Sequence, residues 1–469
     1  MRYKVLDTNI PLLDHNNIIN LMGNGVIIVL PETTLDELDA KKSGLGELAY
    51  QSRRTTSILR KCTRSASFML GNNILVSPKT LNEHILWTVS LLEYPSYENV
   101  DNKIINDRKI IEVAAQLTAY FKLHAPASIV ELVTNDYMCE ERAIVLGVNT
   151  SDFKIVDKVD YEFTKTLEVS DEVFRNLHGK RITDIDKDHK VEHYNYKFTT
   201  PESEQVKIAT INNETITILG KETEADLRKQ DVNPQGADQL LLSKAILDPT
   251  VNLVVCEALA GSGKTLVSLS NAIRLVKDRT NSYSSIIYVR SSINDVEKIE
   301  EVGFLPGDAA EKNAVYFHPL MDSLDFIARS RMRDPRAGKV AGEDFEMKIE
   351  EKIAKMMTDY SIIPMTGLGM RGRTFKDTVF IYDEVQNASK PSLQKALTRI
   401  GKNCKVILIG SNKQIDNPNM TKFTNGLSVI LNDCATQVGN GINKHVVNLH
   451  RVIRSDFAEY AERLFSKER

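Results

Sequence analysis

Cysteine is sparse in this chain and never paired. The five residues, Cys62, Cys139, Cys256, Cys404 and Cys434, are scattered through 469 positions with no C-x-x-C spacing. An odd, unclustered set argues against a disulfide framework and against a zinc site, and it suits a reducing compartment. Long apolar runs are missing too. None reaches the roughly 18 residues of a membrane span, and Asp7 comes too early for a signal peptide. A cytoplasmic protein with no membrane partner is expected. Charge imbalance is also lacking: the net charge is −3, with 26% charged and 42% hydrophobic residues. That balance describes an ordinary soluble globular protein and does not advertise nucleic-acid binding, so any basic surface must be local. No internal repeat or low-complexity tract occurs, and the length allows two or three domains, each with its own core.

Three regions differ in texture. Residues 1–150 alternate short apolar runs with helical patterns, and Tyr3–Leu6, Val26–Leu30, Ile74–Val76 and Ile129–Thr134 read as strands. Strands interleaved with helices predict a parallel α/β sheet. Residues 151–220 are richer in β-branched alternation, as in Thr210–Leu219 with a turn at Asn212-Asn213, and predict a small β-rich connector. That region also holds a polar stretch, Asp184–His193, to which the pattern assigns no chemistry. From 221 to 469 the α/β alternation resumes, with buried-strand candidates at Val251–Cys256, Ser285–Val289, Val379–Tyr382, Lys405–Ile409 and His445–Leu449.

Leu253–Thr265 is the most informative stretch. An apolar run ends in Ala260-Gly261-Ser262-Gly263-Lys264-Thr265 and opens the apolar helical segment Leu266–Val276. This is the strand–loop–helix context of a phosphate-binding P-loop. Loop N–H groups would cradle the phosphates of a nucleotide, Lys264 would reach the β/γ oxygens, and Thr265 would hold Mg²⁺. The first position of G-x-x-x-x-G-K-[ST] is Ala258, which loses access to positive φ. Further on, Val379–Glu384 is an apolar strand ending in two acids. Asp383 is expected to hold Mg²⁺ through water, and Glu384 to polarise the attacking water. A third strand, Val406–Ile409, leads to Gln414, positioned as a γ-phosphate sensor.

With those motifs stated, the strings Val302–Asp308, Glu311-Lys312, His318–Asp322, Arg371–Phe375 and Tyr382–Asn387 resemble the signature of PhoH-family ATPases. The resemblance covers 222–469. It implies a RecA-like core related to superfamily 1 helicases, coupling ATP hydrolysis to RNA or another single strand. It also implies that Gln239, ahead of Asp248-Pro249, contacts adenine. Arg454-Ser-Asp-Phe-Ala-Glu459 resembles the family's terminal arginine motif, with Arg454 favoured over Arg451 as the residue that neutralises γ-phosphate charge, often across a subunit boundary. A homo-hexamer follows from that implication. Arg329, Arg331, Arg333, Arg336 and Lys339, with Arg371 and Arg373, are candidate phosphate-tracking side chains.

At the other end, Val5-Leu6-Asp7-Thr8-Asn9 is a strand closing on an acid, and Asp136 follows another strand end. Strand C-termini of a parallel sheet converge on one crevice. Carboxylates gathered there repel unless divalent cations neutralise them, and one or two Mg²⁺ or Mn²⁺ ions would then activate water for phosphodiester hydrolysis. Spacing and context resemble the PIN nuclease domain over 1–150. Carried over, the metal quartet is Asp7, Glu37, Asp107 and Asp136. Asp101 is a rival for Asp107, and Asp36 and Asp39 lie beside Glu37. Arg53, Arg54, Arg60, Lys61, Arg64 and Lys79 form an acid-free basic stretch, read as one helical face that holds an RNA backbone or balances the acidic site.

The expectation is an α/β protein with a PIN-like parallel-sheet domain, a β-rich connector and a C-terminal RecA-like P-loop NTPase domain. The function expected is an ATP-dependent RNA helicase or translocase coupled to a metal-dependent ribonuclease on single-stranded RNA, with DNA left open. The alternative is an ATP-switched RNA-binding scaffold whose PIN domain does not cut. A metabolic kinase is disfavoured by the paired Asp383-Glu384 and the late arginine motif.

Overall fold

A computed structural model describes residues 1–43, 47–97, 101–153, 161–201, 203–228, 231–291, 317–332, 343–370, 372–417, 420–423, 425–436 and 441–465. The chain divides into two compact units, Met1–Val156 and Asp157–Arg469.

The first unit is built on one sheet. Its strands run in the order Thr63–Arg64, Ile74–Leu81, His84–Leu91, Val26–Pro31, Arg2–Leu6, Ile129–Val133 and Asn149–Ser151, with Phe68–Leu70 paired to Ile74–Leu81. From His84–Leu91 to Asn149–Ser151 every pairing is parallel. Ile74–Leu81 joins antiparallel to His84–Leu91 through a two-residue turn, Asn82-Glu83, with φ of 47° and 69°. Such positive angles match the twist of a tight hairpin. The expected short strand at Ile74–Val76 is thus the start of a longer hairpin arm, and the parallel sheet carries an antiparallel edge. The long helix Asn102–His124 covers one face, burying Ile110, Ile111, Val113, Ala114, Leu117 and Phe121 against sheet residues including Tyr3, Val5, Val29 and Val89.

The second unit contains two sheets. Six strands, all parallel, run in the order Ile362–Met365, Ser285–Arg290, Thr378–Asp383, Cys404–Gly410, Leu253–Ala258 and Lys444–Leu449. Every residue of Thr378–Asp383 is buried. Helices on both faces of a parallel sheet demand continuous apolar runs of this kind, which is why they stand out in the sequence. The second sheet has four strands, Thr215–Ile218, Ser203–Asn212, Asn195–Thr200 and Thr164–Glu168. Its hairpin turns at Asn213-Glu214, φ 47° and 62°, one residue later than the pattern indicates. This sheet shares its core with the six-stranded sheet: Phe163 and Tyr194 pack with Val255, Leu431, Cys434 and Val446. Asn195, fully buried, donates from Nδ2 to the Val446 carbonyl at 2.8 Å and contacts His445 Nε2 through Oδ1 at 2.8 Å. Among the described residues no helix is long and apolar enough to cross a membrane.

Candidate active sites

The C-terminal ends of the six parallel strands carry the first site. Leu253–Ala258 leads into the loop, and Gly263 ends it with φ of 79° at the N-terminus of the helix Lys264–Lys277. Gly261 is also left-handed, φ 68°. The left-handed angle calls for glycine at 263, and a Cβ there would lie 2.8 Å from Gln239 Nε2, so that amide would have to shift. Ala258, the departure from the motif, is the last residue of its strand, in register with Leu449, and has no positive φ. A glycine is not needed at that position, and the methyl group is buried at no conformational cost.

Five side chains meet behind the loop. Thr265 Oγ1 donates to Asp383 Oδ2 at 2.9 Å, and Tyr288 OH donates to the same oxygen at 2.6 Å. Lys264 Nζ lies 3.6 Å from Glu384 Oε1. Asp383 is 1% exposed, and burial, then the adjacent Glu384 charge, push its pKa up against the opposing pull of Lys264. Neighbouring carboxylates at a strand end, facing a lysine and a threonine hydroxyl, are a donor set for a hard divalent cation beside a phosphate. Glu384 itself is held left-handed, φ 56° and ψ 42°, a conformation that costs a non-glycine residue roughly 1–3 kcal/mol and concentrates at working sites.

Gln386 was not singled out from the sequence, although it lies within the Tyr382–Asn387 string. It is fully buried, donating to Glu384 Oε2 at 2.5 Å and to the Gln414 carbonyl at 2.8 Å, while its Oε1 accepts from Ser411 N at 3.0 Å. Gly410 is what admits it, since a Cβ there would fall 2.5 Å from Gln386 Oε1. Gln414 is therefore tied to the site through its backbone. Gln239, 5% exposed, accepts from Gln235 N and donates to the Ser262 carbonyl at 2.8 Å. Its amide buttresses the loop from within the protein. Ile453 N and Arg454 N both donate to the Gly261 carbonyl, at 2.9 and 3.0 Å, so the arginine motif is anchored on the P-loop of its own chain with the Arg454 side chain exposed.

The basic segment reads differently in three dimensions. Arg329 is paired with Asp325 and Glu346, and Arg331 with Asp231 at 2.7 Å. Arg329 is thus held by an acid of its own helix and by one of the helix Glu343–Asp359, and Arg331 by an acid of a preceding segment. Arg333, Arg336, Lys339 and Arg371, with the 302–312 stretch, lie outside the described residues.

The second site lies at the strand ends of the first unit. Asp7 closes Arg2–Leu6 and is 5% exposed; Asn9 Nδ2 and Thr134 Oγ1 donate to its Oδ2 at 2.7 and 2.6 Å. Its pKa is raised to about 6, first by burial and then by the charges of Asp107 and Glu37, despite the Thr134 hydrogen bond. Burial, and then Asp7, Asp107 and Asp136, likewise push up the thiol of the buried Cys139. Asp7 therefore feels Asp107 and Glu37, and Asp136 reaches the same surroundings through Cys139. They are not equally disposed. Glu37 accepts from Asn106 Nδ2 at 2.8 Å, Asp107 pairs with Arg142 at 3.1 Å, and Asp136 caps the helix Tyr137–Val145 by accepting from Met138 N and Cys139 N. Asp36, Asp39 and Asp101 are exposed. A buried carboxylate facing two others suits a divalent cation, which would relieve their repulsion. Asn9, Asn106, Thr134 and Arg142, missed in the sequence, orient the set. Asn9, Asn106 and Thr134 carried a signal, each close in sequence to one of the four acids, and Arg142 carried none.

In the basic stretch the helix ends at Arg60. Arg64 is carried instead by a strand, directly opposite Lys79. Burial and then Arg64 lower the Lys79 pKa.

Two family models match the chain: "PhoH-like protein" over residues 231–466 and "PIN domain" over 4–154. Among curated relatives, "Protein PhoH2" of Bacillus subtilis is 26% identical over 443 residues, 91% of this chain and 92% of that protein. "PhoH-like protein" of Mycobacterium leprae is 33% identical over 160 residues, 34% of this chain and 38% of that protein. "Protein PhoH" of Escherichia coli is 33% identical over 180 residues, 38% and 44% of the two chains.

Proposed function

The chain belongs to the PhoH-like family, a P-loop ATPase fused to a PIN domain, and from that premise we propose that it is an ATP-driven RNA translocase coupled to a metal-dependent ribonuclease. The observation that carries the ATPase half is the convergence of Lys264, Thr265, Asp383 and Glu384 at one strand end. Loop N–H groups and Lys264 bind the triphosphate, and Gln239 keeps the loop in shape. Thr265 and Asp383 would hold Mg²⁺, which supplies charge neutralisation on the phosphates. Glu384 takes the proton of the attacking water, held in line by Gln386. Arg454, seated on Gly261, balances γ-phosphate charge, and Gln414 couples the phosphate to the strand end.

In the PIN domain Asp7, Glu37, Asp107 and Asp136 would hold Mg²⁺ or Mn²⁺, which supplies an activated water for phosphodiester cleavage. The exposed Arg54, Arg60 and Arg64 would bind the strand's phosphates. A homo-hexamer is part of the proposal. The helix Asp456–Phe465 leaves Phe457 82% and Tyr460 51% exposed, apolar surface that a second copy would cover.

Lys264→Ala should abolish ATPase and unwinding while sparing metal-dependent cleavage of unstructured RNA, and Asp7→Asn should do the reverse. Cleavage that collapses with the ATPase in a folded Lys264→Ala protein would end the idea of two separable engines. A second reading, an ATP-switched RNA-binding scaffold, is favoured by one observation: Asp107 is paired with Arg142 and Asp136 caps a helix. Failure of Mn²⁺ or Mg²⁺ to support cleavage of a labelled single strand by the wild-type chain would select it.

A further inference from the structure

Within the connector, Asp186, His189 and His193 each offer a ligand atom, and these atoms lie within 4.8 Å of one another. Among the described residues this is the one trio of metal-binding side chains so closely drawn. It falls in the polar stretch that the function above leaves unused. We propose that Asp186, His189 and His193, with the Tyr196 hydroxyl as fourth donor, form a binding site for a zinc-class divalent metal.

Tyr196 OH sits at the centre of the set, donating to Asp186 Oδ2 at 2.7 Å and lying 2.9 Å from His189 Nδ1 and 3.4 Å from His193 Nδ1. Two imidazoles, a carboxylate and an oxygen donor suit a four-coordinate borderline cation better than Mg²⁺ or Ca²⁺. The sparse cysteines argued against zinc; here the donors are nitrogen and oxygen. Asp186, His193 and Tyr196 are buried, while His189 and His193 also line a cavity of about 400 Å³ whose far wall includes Lys244, Asp248, Lys444 and His445. The cavity gives the ion a route in, and lies by the N-terminal ends of Leu253–Ala258 and Lys444–Leu449, away from the P-loop.

Two groups hold the place of the ion. Lys165 Nζ contacts both Asp186 oxygens, at 2.9 and 2.7 Å, and its side chain is 22% exposed. A buried carboxylate needs a counter-charge. The ammonium supplies one here, on a flexible stem that can swing to water when a metal arrives. Lys190 N donates to His193 Nδ1 at 3.2 Å. The metal would take that lone pair, and the N–H of Lys190, an exposed residue, would turn to solvent. The ion would then fasten the loop 186–193 to the strand Asn195–Thr200.

The test uses the full chain, stripped with chelator and titrated with Co²⁺ and Zn²⁺. Wild type is expected to develop visible d–d absorption bands with Co²⁺, abolished in His189→Ala and His193→Ala and retained in Asp7→Asn, which leaves this site intact. Zn²⁺ should raise Tm in wild type and not in the histidine variants. Lys165→Met keeps every ligand and removes the competing ammonium, so it should bind Co²⁺ more tightly than wild type. Absent bands, bands that survive both histidine substitutions, or unchanged affinity in Lys165→Met would each overturn the site. The last comparison stands even where a histidine variant fails to fold.

Discussion

Asp7 shows how one buried carboxylate can weaken a fold and prepare it for a cation. Its pKa of about 6, against an ordinary 3.8, comes first from burial and then from Asp107 and Glu37. A carboxyl raised in the folded state costs stability when ionised. The cost is absent below pH 3.8, where folded and unfolded chains are both protonated, grows from 3.8 to 6, and is full above 6. In chelator, Asp7→Asn should therefore stabilise the fold by about 1–3 kcal/mol at pH 7.5 and by little at pH 3.5. Denaturant melts at the two values check the sign. For the same reason Mn²⁺ affinity of this site should fall as pH drops through 6, by about tenfold per unit, read by calorimetry. Gln386 is the matching case in the ATPase. Removing it leaves Ser411 N and the Gln414 carbonyl without its amide, at a cost of about 1–3 kcal/mol. It also frees Glu384 to wander. Gln386→Ala should lower kcat for ATP by about 100-fold with KM little changed, and a parallel loss of ATP binding would contradict the positioning role.

The P-loop element depends on its glycines unequally. Gly263→Ala should cost roughly 1–2 kcal/mol for the left-handed angle alone, and its new methyl would press on Gln239 Nε2. Nucleotide affinity is expected to drop more than tenfold, with part of it restored by Gln239→Ala in the same chain. Ala258→Gly should leave nucleotide affinity unchanged and cost about 0.5–1 kcal/mol of stability, because that position is an ordinary buried strand end. Elements of this kind were legible to unequal degrees. The five ATPase strands were readable because strands buried on both faces are unbroken apolar runs. Ile362–Met365 was not, being four residues long, interrupted by Pro364 and half-exposed at the sheet edge. His84–Leu91 was missed because its mixed polar and apolar residues lack a clean run, and only pairing with Ile74–Leu81 makes it a strand. Asp7 and Asp136 were visible as letters after strands, whereas Glu37 and Asp107 lie on helices and came with the resemblance. Their second employments, Asp136 as a helix cap and Asp107 as partner to Arg142, depend on contacts that residue spacing does not record. The pairs of Arg329 with Glu346 and of Arg331 with Asp231 were hidden for the same reason, whereas Asp325 stands four residues before Arg329 on its own helix.

At the scale of the molecule, the four-stranded sheet is no detachable linker. Asn195, Tyr194 and Phe163 are buried among ATPase residues, and Tyr194 OH donates to the Cys434 carbonyl at 2.9 Å. A fragment spanning 157–469 is expected to fold and hydrolyse ATP, whereas one spanning 221–469 should aggregate or melt at far lower temperature, as circular dichroism and phosphate release would report. Within the longer fragment, Asn195→Ala should cost about 1–3 kcal/mol by stranding the Val446 carbonyl and His445. The shared core also bears on how such a gene can be rearranged. A recombination break near residue 220 would sever strands that need each other, and its product would be lost to proteolysis before selection could act on its activity. A break near residue 157 leaves each compact unit its own interior. The inheritable cassette that travels with this P-loop is therefore the whole stretch from Asp157 onward, four-stranded sheet included.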